Sequence, residues 1–140
     1  MTTITEDYVS FKVAKLLKDK GFNEPLFTYY ITDESKKEYN LRTEGFNNKK
    51  VTNYHHDYNY CHDKYWYLSP TIQMAMKWLR EVHNLYIEVS LNYDREDKNA
   101  KIFDTSIFNV QNQQYKKLGN IQGYEQACEA AIKYCLENLI

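Results

Sequence analysis

The residue types best suited to bind a metal or to act as a nucleophile occur together near the middle of the chain. His55, His56, Cys61 and His62 fall within eight residues. Imidazole and thiolate are zinc ligands, and a cysteine beside a histidine base can also act as a nucleophile. The spacing argues against both roles, because adjacent residues of a regular element point in different directions and nothing marks an oxyanion hole. We therefore expect a solvated polar loop with no metal or other cofactor, and keep a small cysteine enzyme or metal-binding protein as an alternative.

The same region holds the strongest candidate for binding, a set of aromatic side chains interleaved with histidine and lysine. Tyrosine accounts for 14 of the 140 residues. Such rings can stack on a nucleobase or fill a groove of a protein partner, next to cationic donors. Packing of aromatic residues in strands is the simpler explanation of the tyrosine excess. The candidate set consists of Tyr54, Tyr58, Tyr60, Tyr65, Trp66 and Tyr67.

A second candidate for binding lies on a predicted helix. Lys77 and Arg80 are three residues apart and could clamp an anion, although a charged outer helix face explains the pair better. The four glycines do not form a phosphate-binding loop. Asp57 and Asp63 have no carboxylate partner at a fixed spacing, so acid-base hydrolysis has no support. We therefore expect a binding protein without catalytic residues.

The composition narrows the class of partner. Eighteen Lys and Arg residues against 19 Asp and Glu residues leave a net charge of -1, which disfavours broad nucleic-acid binding. The longest stretch without charged residues, 65–76, is too short to span a bilayer, and the first residues lack the features of a signal peptide. We expect a cytoplasmic protein that does not contact a membrane. Three cysteines do not suggest a disulfide framework, and a homo-oligomer is compatible with this composition.

Apolar residues at helical spacing predict three helices. The first covers about 5–20, with Thr3 or Thr5 as N-cap. The second follows Ser69 as N-cap and Pro70 as first helical residue, and extends to about His83. The third covers about Tyr124–Asn138 and places Cys128 and Cys135 on its apolar stripe, where they serve as small core residues. The predicted buried face of the second helix consists of Ile72, Ala75, Met76, Leu79 and Val82.

Alternating apolar residues predict the strands. A hairpin is expected over 26–43, an irregular aromatic-rich loop over 45–64, and a short strand over 65–68. The clearest strand covers 85–93, and a charged tip at 94–99 leads to a partner strand over 101–111. A connection rich in Gln, Lys and Gly then precedes the last helix. We predict one α+β domain over residues 1–140, an antiparallel sheet with helices on one face, in the order α-β-β-(β)-α-β-β-α.

Three stretches of the sequence together resemble a family of short proteins encoded by gut Bacteroides-type bacteria, their phages and their prophages. They are ITEDYVSF with the helical residues that follow it, SPTIQMAMKWLRE, and the ending YEQACEAAIKYCLENLI. The likeness covers all three predicted helices, about half of the chain, and brings no catalytic motif. Members of the family differ over the part that corresponds to residues 26–67, which implies a divergent recognition surface on a shared scaffold.

The resemblance also implies a role. Small proteins carried by phages often counter host defences or take over host processes. We therefore expect a non-enzymatic binding protein that sequesters or blocks a target in the bacterial cytoplasm. Two partners remain open, a host protein and a small signalling nucleotide held by aromatic stacking with Lys and Arg at its phosphates.

Overall fold

The structure, a computed structural model, describes residues 3–33, 35–53, 64–93 and 101–140. Within these ranges the chain forms three helices and two antiparallel three-stranded sheets, which confirms the predicted α+β class. The chain divides into two compact units. The N-terminal unit is Tyr8–Pro70, and the C-terminal unit combines Met1–Asp7 with Thr71–Ile140. The strands thus build two sheets where one was predicted, and each unit contains one of them.

The N-terminal unit begins with helix α1, Phe11–Asp19. Its N-cap is Ser10, whose hydroxyl accepts a hydrogen bond from the Val13 amide at 3.3 Å. The helix was predicted to start near residue 5, and that prediction is wrong. The amide of Val9 donates to the Pro70 carbonyl at 3.1 Å, so the chain before Ser10 is held extended by a partner distant in sequence.

The sheet of the N-terminal unit has the order β2-β1-β3. Its strands are β1 (Tyr29–Asp33), β2 (Glu38–Arg42) and β3 (Lys64–Leu68). Strands β1 and β2 form the predicted hairpin, and β3 lies at the predicted short strand. Helix α1 packs against the sheet through Phe11, whose ring contacts the rings of Tyr30 and Tyr67.

The C-terminal unit contains helix α2, Ile72–His83, which ends where the sequence predicts. Its N-cap is Thr71, whose hydroxyl accepts from the Met74 amide at 3.1 Å; the prediction of Ser69 and Pro70 in the first turn is wrong. Ser69 instead donates from its amide to the Thr28 carbonyl at 3.0 Å and from its hydroxyl to the Val9 carbonyl at 3.2 Å. These tertiary hydrogen bonds outcompete the local cap.

The buried face of α2 is largely the predicted one. Ile72, Ala75, Met76 and Leu79 are buried, together with Trp78. Val82 was predicted to join them but is 55% exposed. Val82 lies in the last turn of α2, two residues before the C-cap. The C-cap, Asn84, has the left-handed conformation with φ 57°, and the helix ends there.

The sheet of the C-terminal unit has the order β4-β5-β6. Strand β4 is Leu85–Leu91, β5 is Ile102–Asn109 and β6 is Gln114–Gln122. Strands β4 and β5 agree with the prediction, whereas the sequence predicts a connection in place of β6, which is therefore missing from the predicted order. Its nine residues are mostly exposed, and a register shift opposite Thr105 and Ser106 breaks the alternation by which a strand is recognised.

Helix α3, Tyr124–Asn138, matches its predicted bounds. It packs across β4, β5 and β6, and α2 packs beside it against β4. Cys128 and Cys135 are fully buried, as predicted, and burial raises the pKa of the Cys135 thiol to about 12. Lys133 lies 3.8 Å from Glu137 on the outer face. None of the helices in the described part of the chain is long and apolar enough to cross a membrane.

Candidate functional site

The candidate site is a cleft beside the hairpin of the N-terminal unit, which we call the Tyr39 cleft. Its volume is about 440 Å³, within the usual range of small-ligand pockets. Aromatic rings of α1, β2 and β3 form one part of the lining, and charged side chains of α1 and the hairpin turn form the other. The lining residues are Phe11, Lys15, Thr32, Asp33, Lys37, Glu38, Tyr39 and Tyr67.

The aromatic part is organised around Phe11. The Phe11 and Tyr39 rings are stacked, with centroids 4.4 Å apart and planes 8° from parallel. Tyr30 and Tyr67 each meet the Phe11 ring edge-on, with centroids 5.5 Å away. Phe11 covers one face of the Tyr39 ring, yet Tyr39 is still 56% exposed. The other face of that ring is therefore open to the cleft.

The strand register explains why these rings come together. Tyr30 pairs with Leu41 on one side and with Tyr67 on the other, and Thr32 pairs with Tyr39 in the next row of the same face. Directly opposed residues of an antiparallel ladder share a face, and alternate residues of one strand do too. The helix α1 lies over this face and brings Phe11 to it.

The position of Tyr67 is reinforced by a partly buried lysine on α1. The Lys18 ammonium donates to the Trp66 carbonyl at 2.9 Å and lies 4.6 Å from the centre of the Tyr67 ring. Burial lowers the pKa of Lys18, against a smaller opposing effect of the Asp19 carboxylate. A cation over the ring face and a backbone hydrogen bond together hold α1 against β3.

The charged part of the lining has two lysines and two carboxylates. Lys15 is one turn along α1 from Phe11, and its ammonium lies 5.6 Å from that ring centre. Asp33 accepts hydrogen bonds from the Ser35 hydroxyl at 2.6 Å and the Ser35 amide at 3.2 Å. The Ser35 hydroxyl is the main cause of the lowered pKa of Asp33. Asp33 therefore shapes the turn that carries Lys37, whose φ is 53°.

The structure separates two of the residues that the sequence grouped together. Tyr67 lines the Tyr39 cleft, whereas Trp66, its neighbour in β3, belongs to the opposite face of the sheet. There the Trp66 ring lies 5.3 Å from that of Tyr29 and 5.4 Å from that of Phe46. Tyr65 pairs with Thr32 in the strand ladder. Tyr54, Tyr58 and Tyr60 lie outside the described residues.

The remaining predicted residues do not join the cleft. Lys77 is exposed on α2 and Arg80 half-buried on the same helix, in the C-terminal unit. His55, His56, Cys61 and His62 lie outside the described residues, so the metal and nucleophile alternatives stay untested. Elsewhere in the described ranges, no group of three or more His, Cys, Asp or Glu side chains could hold a metal ion.

Sequence reasoning missed the residues that carry the cleft. The sequence patterns single out none of Phe11, Lys15, Lys37 and Tyr39, and of the lining residues they indicate only Tyr67. One local signal pointed to Tyr39, because an aromatic residue between Glu38 and Asn40 in a polar strand is a candidate for an exposed ring. Comparison of the chain with protein-family models, with curated proteins and with solved structures finds no match.

Proposed function

We propose that this protein is a non-enzymatic binding protein that sequesters a small nucleotide in the Tyr39 cleft. The observation that carries the proposal is the Phe11–Tyr39 stack, whose outer residue, Tyr39, is 56% exposed and lines a cleft that also contains Lys15 and Lys37. A planar base that lies on the open face of Tyr39 continues an existing stack. Its phosphate then needs cationic donors, which the two lysines supply.

The energetics of such a site depend on stacking and on the preorganisation of the ring. A base stacked on an aromatic side chain is worth about 1–3 kcal/mol. Tyr39 is already held by Phe11 at 4.4 Å and by Tyr30, whose ring centre is 5.8 Å away, so little side-chain freedom is lost on binding. The lysines act as point charges that tolerate several phosphate positions.

The two carboxylates at the cleft fit the same ligand. Asp33 and Glu38 are paired in the β1–β2 ladder next to the turn that carries Lys37, and both line the cleft. A carboxylate accepts hydrogen bonds from the amino group of a base or from a ribose hydroxyl. A nucleotide therefore offers hydrogen-bond donors to the two carboxylates as well as a phosphate to the two lysines.

The biological role follows from binding alone and extends the expectation that the family resemblance raised. A phage or prophage protein that holds a signalling nucleotide in the cytoplasm of the bacterial host lowers the free concentration of that signal. A defence system that responds to the nucleotide then stays inactive. This counter-defence role requires no bond to be made or broken in the cleft.

The direct test is isothermal titration calorimetry of the purified chain with AMP, GMP and their cyclic dinucleotides. Tyr39→Leu removes the stacking surface and is expected to weaken binding at least about fivefold, since a stacked base is worth about 1–3 kcal/mol and about 1.4 kcal/mol is a factor of ten. Lys37→Gln is expected to weaken binding about threefold to tenfold, and less so in high salt. Tyr39→Phe keeps the ring and should bind nearly as well as the natural chain.

The matched control is Lys77→Gln, which removes one lysine charge from an exposed helix face outside the cleft. It should bind the nucleotides as the natural chain does. Equal losses in Lys77→Gln and Lys37→Gln would instead favour the anion clamp of Lys77 and Arg80. Failure of every nucleotide to bind the natural chain would contradict the proposal.

A host protein is a second candidate target, and one observation favours it. Strand β2 pairs with β1 on one side, and its other edge is unpaired within the described residues. All five of its residues are exposed, including Tyr39 and Leu41. An exposed edge can accept a strand from another protein. Leu41→Lys should then abolish capture of the target protein and leave nucleotide titrations unchanged.

A further inference from the structure

The C-terminal unit has a groove of its own on the face of its sheet that α3 does not cover, and we call it the Ser106 groove. Its volume is about 310 Å³. Phe103 contacts Tyr124 of α3, and Leu85 and Ile107 are buried on the same side. Alternation places the groove residues on the other side. The side chains that line it are Glu88, Ser90, Asp104, Ser106, Tyr115 and Lys117.

The charged residues of the groove stand on opposite sides of Ser106. The register pairs Glu88 with Ser106 and Ser106 with Lys117, so the three residues form one row across β4, β5 and β6. Neighbouring strands are about 4.8 Å apart, which places the backbones of Glu88 and Lys117 about 10 Å from each other. The register pairs Asp104 with Ser90 in the adjacent row, so both carboxylates lie toward β4 and β5 and the ammonium lies on β6.

These groups have no partners in the part of the chain that the structure describes. The salt bridge found there joins Lys133 to Glu137, and neither Glu88, Asp104 nor Lys117 takes part in one. Ser106 is only 7% exposed, its side chain lines the groove, and its hydroxyl makes no hydrogen bond to a described residue. Although Ser106 is buried as a residue, its hydroxyl is reached from the groove and is therefore an unused donor and acceptor there.

The pairing of β5 with β6 is irregular beside Ser106. The register of β5 and β6 shifts between Thr105 and Ser106, so that Thr105 faces Gly119 and Ser106 faces Lys117. Leu118 is the additional residue of this bulge. Bulges redirect side chains and occur often beside binding sites. Here the bulge places Lys117 opposite Ser106, where a regular strand would place residue 118.

We propose that the Ser106 groove binds a small zwitterion of the amino-acid class, with its ammonium at Glu88 and Asp104 and its carboxylate at Lys117. Strand side chains stand roughly perpendicular to the sheet, so the two charged ends are about as far apart as the backbones; each charge-assisted hydrogen bond spans about 2.8 Å, which leaves about 4–6 Å between the two charges of the ligand. An ω-amino acid with three methylene groups has this spacing, and so has a dipeptide. Ser106 hydrogen-bonds the ligand between its ends, and Tyr115 packs on its apolar part.

The test is a ¹H–¹⁵N NMR titration of the full chain with three probes of equal length. The probe 4-aminobutyrate carries both charges, n-butylamine carries the ammonium alone, and butyrate carries the carboxylate alone. We expect 4-aminobutyrate to bind at least about tenfold more tightly than either of the others, with shifts centred on β4, β5 and β6. Glycylglycine in parallel distinguishes a peptide source from a free ω-amino acid, and tight binding of either supports the proposal.

Matched variants test the orientation of the ligand. Glu88→Gln should weaken 4-aminobutyrate about fivefold or more and leave butyrate unchanged. Lys117→Gln should weaken 4-aminobutyrate similarly and leave n-butylamine unchanged. Both positions are exposed, and thermal unfolding checks that each variant is folded. Equal affinity for the zwitterion and a singly charged probe, no saturable shift on the three strands, or unchanged affinity in both variants would overturn the proposal.

Discussion

Single side chains in this protein connect segments that are far apart in the sequence, and Asn53 is the clearest case. It is 3% exposed, and both polar atoms of its side chain are hydrogen-bonded within the N-terminal unit. Its amide nitrogen Nδ2 donates to the Phe22 carbonyl at 2.6 Å, and its Oδ1 accepts from the Leu68 amide at 2.7 Å. Its backbone amide donates to Oδ1 of Asn23 at 2.8 Å. One buried asparagine thus joins the end of α1 to strand β3.

The first prediction at this scale concerns Asn53→Ala. The change leaves the Phe22 carbonyl and the Leu68 amide without partners in a buried place, and each costs about 1–3 kcal/mol. We expect the free energy of unfolding, measured by urea denaturation, to fall by about 2–4 kcal/mol. Asn53→Asp keeps Oδ1 but loses the donor and introduces a buried charge, so it should be at least as destabilising.

The control for Asn53 is Asn23→Ala. Asn23 is exposed and accepts one hydrogen bond, so its loss should cost about 1 kcal/mol or less. Comparable losses in the Asn23 and Asn53 variants would contradict the bridging role of Asn53.

His83 has a buried ring nitrogen without a hydrogen-bond partner among the described residues. Its Nε2 is the one buried side-chain nitrogen or oxygen in the described ranges that lacks a hydrogen-bond partner. Its ring lies edge-on to Trp78, with centroids 4.6 Å apart, and burial lowers its pKa. Because that pKa is below the ordinary value, His83 is neutral at pH 7 and adds no positive charge to the end of α2.

At the scale of elements, turns made by glycine and asparagine set the geometry of the N-terminal unit. Asn47 and Asn48 have φ of 52° and 60°, and the Phe46 and Lys49 backbones exchange two hydrogen bonds of 3.0 Å around them. Two consecutive residues with positive φ between such partners form a type I′ hairpin turn. Gly45, with φ 69°, precedes this turn and donates from its amide to the Phe27 carbonyl at 2.8 Å.

Two glycines provide a matched prediction for these turns. Gly21 has φ 91° and open space where a Cβ would stand, so Gly21→Ala should cost about 1–2 kcal/mol through backbone strain alone. A Cβ on Gly45 would overlap the carbonyl of Lys49 and touch the Phe27 ring. Gly45→Ala should therefore lower the free energy of unfolding clearly more than Gly21→Ala, as measured by urea denaturation. Equal losses would mean that the turn at residues 45–49 adjusts freely.

At the scale of the whole molecule, the two units share one arrangement of secondary structure. Each unit has a three-stranded antiparallel sheet with a helix packed on one face, and each has a candidate binding site built on its sheet. In the N-terminal unit the helix contributes to the site through Phe11 and Lys15. In the C-terminal unit the helix covers the opposite face, and the site consists of strand residues alone. The same arrangement therefore carries two sites with different linings, one aromatic with charged residues and the other mainly polar and charged.

The number of cooperative units is open to a direct experiment, because each unit contains one tryptophan. Trp66 belongs to the N-terminal unit and Trp78 to the C-terminal unit. Neither unit is longer than about 80 residues, a length at which one core supplies little stability by itself. In Trp66→Phe the fluorescence reports on Trp78, and in Trp78→Phe it reports on Trp66. We expect the midpoint of unfolding by fluorescence to equal the midpoint by circular dichroism in each variant. Comparison within one variant removes the effect of the substitution on stability. Two separate midpoints within one variant, by fluorescence and by circular dichroism, would contradict the predicted single domain.

The sequence by itself determined the parts of this protein whose signals are local. Helix α3, the end of α2, strand β4 and the β1–β2 hairpin follow from residue periodicity and turn residues, and both cysteines of α3 were placed in the core correctly. These features can be predicted because side chains repeat with a period of 3.6 in a helix and of 2 in a strand, whatever the rest of the chain does.

The tertiary structure alone decided where α1 and α2 begin and that β6 is a strand. It also decided that Trp66 and Tyr67 lie on opposite faces of their sheet. Each of these depends on a hydrogen bond or a strand pairing between distant residues, such as that of Val9 with Pro70 or Thr105 with Gly119. The Tyr39 cleft has the same origin, because Phe11, Tyr39 and Tyr67 come from three elements and meet only through the register of the sheet. Local preferences of about 1 kcal/mol at a helix cap yield to such pairings when the two compete.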